Sequence, residues 1–190
     1  MKIPGARLFK TRLFRDPLFR NRRGAVAVEF ALLFPVVILL TFGIIELSLV
    51  AYDYHLLGEA TRRGAREVII SPTIPSISGY AGATITCGAS AGGSVTCSGA
   101  TVSDGTAMTT MLTAMQQIKP DITIQNIEIT YEDSGLSPAD APNIIVLLIT
   151  VRLINVTYDF FLLNTIAGLT TTLAYPDFAT TVLSSKLIVS

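Results

Sequence analysis

The stretch GAVAVEFALLFPVVILLTFGIIELSLVAY, residues 24–52, decides the architecture. Its apolar character starts at Ala25 and runs to Tyr52, and no charged residue interrupts it from Phe30 to Ile45. An apolar run of roughly 20 residues is long enough to cross a bilayer core about 30 Å thick. The apolar region of a secretory signal is shorter, about 7–15 residues, and ends at small residues. Here Leu49-Val50-Ala51 puts a bulky leucine where a small residue is wanted. The sequence therefore predicts a transmembrane helix over 25–52 that is kept in the mature protein. The rest of the 190 residues leaves room for one ordinary domain.

A net charge of zero hides a sharp split. Of 14 basic residues, 8 precede Gly24 (Lys2, Arg7, Lys10, Arg12, Arg15, Arg20, Arg22 and Arg23), against one acid, Asp16, of 14. Six basic and 13 acidic residues follow, so the remainder is strongly acidic. Dense Lys and Arg before a first span place that side in the cytoplasm. The expected orientation is thus a cytoplasmic leader at 1–24, a single pass through the bacterial inner membrane, and export of everything after Tyr52. An acidic exported part is a poor partner for nucleic acid. Within the leader, Leu8-Phe9-Lys10, Leu13-Phe14-Arg15 and Leu18-Phe19-Arg20 recur every five residues. That period suits neither a helix face nor a strand face. Two readings stand: a basic aromatic segment lying on the anionic inner leaflet, or a leader that only has to be positive and flexible.

Beyond Tyr52 the apolar run turns amphipathic. Leu49, Tyr52, Leu56, Ala60 and Val68 fall near one face, while Glu59–Arg63 and Arg63–Glu67 are i,i+4 pairs on the exposed side. The helix is therefore expected to continue over 53–70, to stop at Ser71-Pro72, and to serve as the spine of an exported domain at 71–190. Unbroken, it would be on the order of 65–70 Å long at about 1.5 Å per residue. Residues 71–103 are rich in small residues and read as a loop or short hairpin holding Cys87 and Cys97. Two cysteines ten positions apart outside the cytoplasm read as one disulfide-closed loop. A two-cysteine metal site lacks partners, since the only histidine is His55. Asp104 to Ile118 reads as a short helix with methionine core filler. Ile122 to Tyr131 and Ile144 to Tyr158 read as strands, with a phase change at Gln125-Asn126, and Arg152 argues against a second span. An apolar stretch, Phe160 to Leu169, and a Thr-rich tail with Tyr175 and Phe178 finish the chain. The expected class is α+β: a long N-terminal helix on a small, mostly antiparallel sheet.

The cluster Arg22-Arg23-Gly24-Ala25-Val26-Ala27-Val28-Glu29-Phe30 carries the functional signal. Glu29 lies near the start of an apolar helix, where an ionised carboxylate without a partner is costly. A cut after Gly24 would create a charged amino terminus at Ala25. That amine and Glu29 have reason to pair, within one chain or between neighbouring helices, and pairing between chains would fix their axial register. A lone Glu near a helix end can also snorkel toward water.

Gly24, four residues, then Glu29-Phe30 resembles the type IV prepilin processing motif. The longer run from Gly24 through Phe34-Pro35, Phe42-Gly43-Ile44-Ile45-Glu46, Ala60 and Gly64-Ala65-Arg66 resembles the TadE-like (TadE/TadG) family of tight-adherence (Flp, type IVc) pilus systems. The resemblance is close over 22–70 and loose beyond. It implies a pilin-like minor pilin or pseudopilin, not an enzyme. A prepilin peptidase would cut after Gly24. Other pilin or pseudopilin subunits and the pilus assembly platform would be the partners, and adhesion the use. Glu29 with Phe30 would set the register, and Pro35 would bend or loosen the helix by removing one backbone bond. Glu46 fits the pattern either as an inter-subunit contact or as an acid near the outer headgroups. An uncleaved single-pass envelope protein that scaffolds the pilus or secretion machinery is the alternative of the same class.

Gly88-Ala89-Ser90-Ala91-Gly92 matches a nucleophile elbow and raises a remote alternative, a membrane-tethered serine hydrolase with Ser90 as nucleophile. The motif needs a strand before it and a helix after it, and it lies here between two cysteines. Asn155-Val156-Thr157 matches a glycosylation acceptor but sits in an expected strand. No phosphate loop, dinucleotide fingerprint or metal-ligand cluster occurs, so no cofactor or metal is expected.

Overall fold

The computed structural model describes residues 22–77, 82–136, 140, 144–161, 164 and 172–187. The leader repeat at 8–20 and most of the apolar stretch after Phe161 lie outside the described residues. The elements run in the order α1 (Arg22–Ile70), β1 (Ile85–Ala89), β2 (Val95–Cys97), α2 (Thr106–Gln116), a 3-10 turn (Ile124–Asn126), β3 (Ile127–Asp133), β4 (Ile144–Leu153), β5 (Thr157–Asp159), β6 (Thr172–Ala174) and β7 (Phe178–Leu187). Two compact units result, Met1–Ile44 and Ile45–Ser190.

In the first unit α1 is apolar on every side and its side chains are exposed, Leu32 at 72% and Val36 at 62% among them. By length and composition this helix is able to cross a membrane, and like any helix it satisfies its backbone bonds within itself. The helix is assigned without interruption through Pro35.

The second unit is α+β. Its five-stranded sheet has the order β2-β1-β3-β4-β7 with every neighbour antiparallel. Alternation along β4 sends Ile145, Leu147, Ile149, Val151 and Leu153 inward. Ile127, Ile129 and Tyr131 of β3 share that face. Leu57, Ala60, Ala65 and Val68 of α1 and Met108, Met111 and Met115 of α2 join these strands in one core. The opposite sheet face is polar near its end, where Arg152 pairs with Glu128 at 3.0 Å and with Asp177 at 2.8 Å.

Several boundaries move from their expected places. The segment expected as one strand over 144–158 breaks in two, because Asn155 adopts φ 54° between β4 and β5, a left-handed conformation Asn tolerates better than most residues. The phase change at Gln125-Asn126 is the 3-10 turn, which Asn126 ties back to Thr123. The spine helix ends at Ile70, where Ser71 N–H still reaches the Glu67 carbonyl at 3.0 Å and Pro72 follows. On its exposed side Glu59 pairs with Arg62 at 3.3 Å, one residue short of the expected Arg63. Cys87 and Cys97 form a disulfide across the β1–β2 hairpin. They are direct cross-strand partners with Cα atoms 4.0 Å apart, the close spacing typical of a non-hydrogen-bonded pair.

α1 comes close to α2 at Gly64. A Cβ there would lie 2.8 Å from Met115 Sδ and 3.1 Å from its Cγ. Gly64→Val is therefore expected to destabilise the second unit by about 1–3 kcal/mol through overpacking. Gly64→Ala should be near neutral, since roughly 1 kcal/mol of helix propensity offsets the shift of a flexible methionine. Denaturant midpoints of the two variants check this.

Candidate assembly helix and its buried acidic turn

Gly24, Ala25, Glu29 and Phe30 all lie on the first turns of α1. Ala25, Glu29 and Phe30 are exposed, and the Phe30 and Phe34 rings meet at 5.5 Å. Among the described residues the helix there offers an exposed apolar surface with one carboxylate.

Polarity inverts where α1 enters the second unit. The buried positions are Glu46, Asp53, Leu57, Ala60, Thr61, Gly64, Ala65 and Val68, a stripe with helical spacing. The expected face holds at Ala60 and Val68, which are buried, and fails nearer the start of the stripe. Leu49 is 51% and Tyr52 63% exposed, while Glu46 and Asp53 face the domain at 1% and 8%. Apolar periodicity misleads here because the whole turn is apolar; the acids mark the domain side.

Asp53 is held by Lys119, whose Nζ lies 2.6 Å from Asp53 Oδ1 and 2.9 Å from Asp121 Oδ2. The lysine comes from the end of α2, where its N–H reaches the Met115 carbonyl at 3.1 Å. Burial pushes the Lys119 pKa down, but bonds to Asp53 and Asp121 outweigh this and raise it. Beside the pair, Tyr175 donates its hydroxyl to the Val50 carbonyl at 3.1 Å. Burial, and then the Asp53 charge, raise the Tyr175 pKa. Burial, and then the charges of Glu46 and Asp53, do the same for Tyr158. Both phenols therefore stay neutral at physiological pH. Tyr54 packs on Phe178 at 4.8 Å and on Tyr175 at 6.2 Å, sealing the other flank. A cleft of about 390 Å³ opens between Asp53, Lys119, Asp121, Asn126 and Tyr158.

This arrangement fastens α1 to the end of α2 and to the residues around Tyr175. Among the described residues no group of three His, Cys, Asp or Glu side chains is placed to hold a metal ion. Ser90 sits in the turn between β1 and β2, so a strand follows it where a nucleophile elbow requires a helix. Asp53, Lys119, Tyr158 and Tyr175 escaped the sequence reading. The usable signal was Asp53 itself, seven residues after Glu46 and so two turns along the same face.

Residues 24–66 match the family model described as TadE-like protein. The chain carries a TadE-like helix. No curated protein and no solved structure matches the chain. The TadE-like match includes both the exposed apolar stretch and the buried stripe from Glu46 to Ala65. It ends before the sheet begins.

Two predictions follow from the acidic turn. Lys119→Met should destabilise the second unit by about 2–4 kcal/mol, because it strands a buried carboxylate. Adding Asp53→Asn should restore part of that loss, and urea titrations of the double-mutant cycle measure the coupling. The second concerns alkaline pH. Burial of the Tyr131 phenol pushes its pKa from 10.0 up to about 12, and the unfolded chain therefore loses that proton first. The contribution is complete below pH 10 and is lost as pH rises toward 12. Lys119, also raised, acts in the same direction. Unfolding midpoints should fall above pH 10, and less steeply in Tyr131→Phe.

Proposed function

We propose that this chain is a minor pilin or pseudopilin of a tight-adherence (Flp-type) pilus, cut after Gly24 by a prepilin peptidase. The observation that carries the reading is the first unit of α1: every apolar side chain is exposed, and one acid, Glu29, stands five residues after Gly24. An all-round apolar helix belongs in lipid or among other such helices. The TadE-like match supports a pilus system as the setting.

Cleavage would leave an ammonium at Ala25 about one turn from Glu29. In a bundle of such helices, an amine and an acid from neighbouring chains pair only at one axial offset. Any other offset leaves a charge in hydrocarbon at a cost of several kcal/mol. We assign the register role to Glu29, with Phe30 packing beside it. Glu46 faces the chain's own domain. The basic leader supports a cytoplasmic N-terminus and an inner-membrane span, and the disulfide suits an exported domain. In this reading the role is structural, and the partners are the peptidase, the assembly platform and other pilin subunits.

Intact mass of the protein from membranes tests the processing step. A mature chain beginning at Ala25 is expected. A full-length chain in cells with active prepilin peptidase would instead support an uncleaved envelope scaffold. Glu29→Ala should leave cleavage largely intact and lower recovery in sheared pili by at least about tenfold, equivalent to roughly 1.4 kcal/mol of lost register energy. Unchanged recovery would remove Glu29 from that role.

A further inference from the structure

The two edges of the five-stranded sheet are finished differently. At one edge β2 has three residues and is closed onto β1 by the disulfide. At the other, β7 pairs with β4 in one continuous register, from Phe178 opposite Leu153 to Leu187 opposite Ile144. Among the described residues no further strand pairs with its outer side. Sheets normally blunt such an edge with a short strand, a proline, a bulge or charged residues. From Phe178 to Ser185 the strand has none of these.

A cleft of about 240 Å³ lies between Tyr54, Gly58 and Arg62 of α1 and Phe178, Ala179 and Thr180 of β7, all within the second unit. Successive residues of a strand point to opposite faces, so three in a row place the cleft at the strand's edge. The Tyr54 and Phe178 rings, 4.8 Å apart, stand at one end. Gly58 forms the helix side. A Cβ built there meets nothing within 4 Å, in contrast to Gly64. Glycine inside a helix is disfavoured, and no close contact within the fold requires this one. The ionisable side chains lining the cleft, among the described residues, are those of His55 and Arg62, with no acid beside them apart from the rim pair of Arg62 with Glu59. That pair, at 3.3 Å, is exposed on both sides and holds loosely. It uses one of the five N–H donors of the guanidinium.

We infer that this cleft receives an extended, acidic segment of a partner protein, which adds a strand to the outer edge of β7 and sets a carboxylate on Arg62. The backbone groups along that edge are met at their own spacing only by another strand. The space over Gly58 admits a side chain of the incoming strand, and the guanidinium selects an acid beside it. The inference rests on the geometry of the second unit and holds whether or not the chain is cut after Gly24.

The test uses the full chain in the cells that make it, with the photocrosslinker p-benzoylphenylalanine in place of Ala179 or of Leu183, two exposed residues on one face of β7. These positions lie about 13 Å apart along the strand. Mass spectrometry of the digested adducts identifies the attachment points. The expected result is a single partner, different from this chain, with an Asp or Glu beside the point reached from Ala179. An extended partner has its two attachment points about four residues apart, whereas a helical one has them about nine apart. Gly58→Leu fills the cleft from a position where the first added atom meets nothing. Arg62→Glu reverses the charge at its rim. Each should lower both crosslinks by at least about fivefold. Helical spacing, attachment to a second copy of this chain, a segment without an acid, or yields unchanged in either variant would overturn the inference. So would yields no higher than with the crosslinker in place of Ser90, exposed in the β1–β2 turn. Matching urea midpoints and an intact disulfide establish that the variants keep the fold.

Discussion

The burial of Asp53 against Lys119 is the constraint on which the second unit depends. A helix that is apolar on all sides has no preferred face for a domain to grip. Hydrophobic burial, which organises most helix–sheet contacts, gives little direction where the outward side chains are themselves apolar, as Leu47, Leu49 and Tyr52 are. Polar groups then supply the direction. Glu46 and Asp53 turn inward, and Lys119 meets Asp53 at 2.6 Å from the end of α2. Tyr175 bonds the backbone at Val50 between them. These bonds have a single geometry, whereas apolar contact alone would allow the helix to rotate. Replacing the pair with apolar residues need not weaken the domain much; what it would remove is the fixed rotation of α1.

Further along, the same helix changes its means of attachment. Past Leu57 the stripe becomes Ala60, Thr61, Gly64, Ala65 and Val68, small side chains that let α1 approach α2 until Met115 fills the space over Gly64. Thr61 can be buried because its hydroxyl donates to the Leu57 carbonyl at 2.8 Å. The methionines of α2 then fill the gap between two helices and an Ile- and Leu-faced sheet, a task their unbranched flexible chains suit. The disulfide secures the other end of the sheet, where β2 has only three residues and little apolar surface to bury.

Much of this was legible in the residues, for identifiable reasons. The helix could be read from 24 to 70 because an uninterrupted apolar run and a following Ser-Pro stop are local signals. The α2 helix and the inward alternation of β3 and β4 likewise rest on local periodicity. The disulfide-closed loop, which the structure shows as the β1–β2 hairpin, followed from cysteine spacing and small residues. Non-local facts were hidden. That Leu49 and Tyr52 face outward while Glu46 faces in cannot be seen from periodicity, since a moment built on hydrophobicity points to the apolar side of any turn. The Lys119–Asp53 pair joins residues 66 positions apart, and Tyr175 finds Val50 from 125 positions away. Asn155 was read as part of a glycosylation triplet within a strand; its left-handed backbone ends β4 and lets β5 leave the main sheet.

Two acids on one helix therefore meet opposite surroundings. Glu29 is exposed on the first turns of α1. Glu46 is buried at 1% within the second unit. A carboxylate in hydrocarbon is tolerated only when its position is over-determined by what surrounds it. For Glu46 the chain supplies those surroundings in its own fold. Glu29 is exposed on the described helix, so the proposed register role falls to it and not to Glu46.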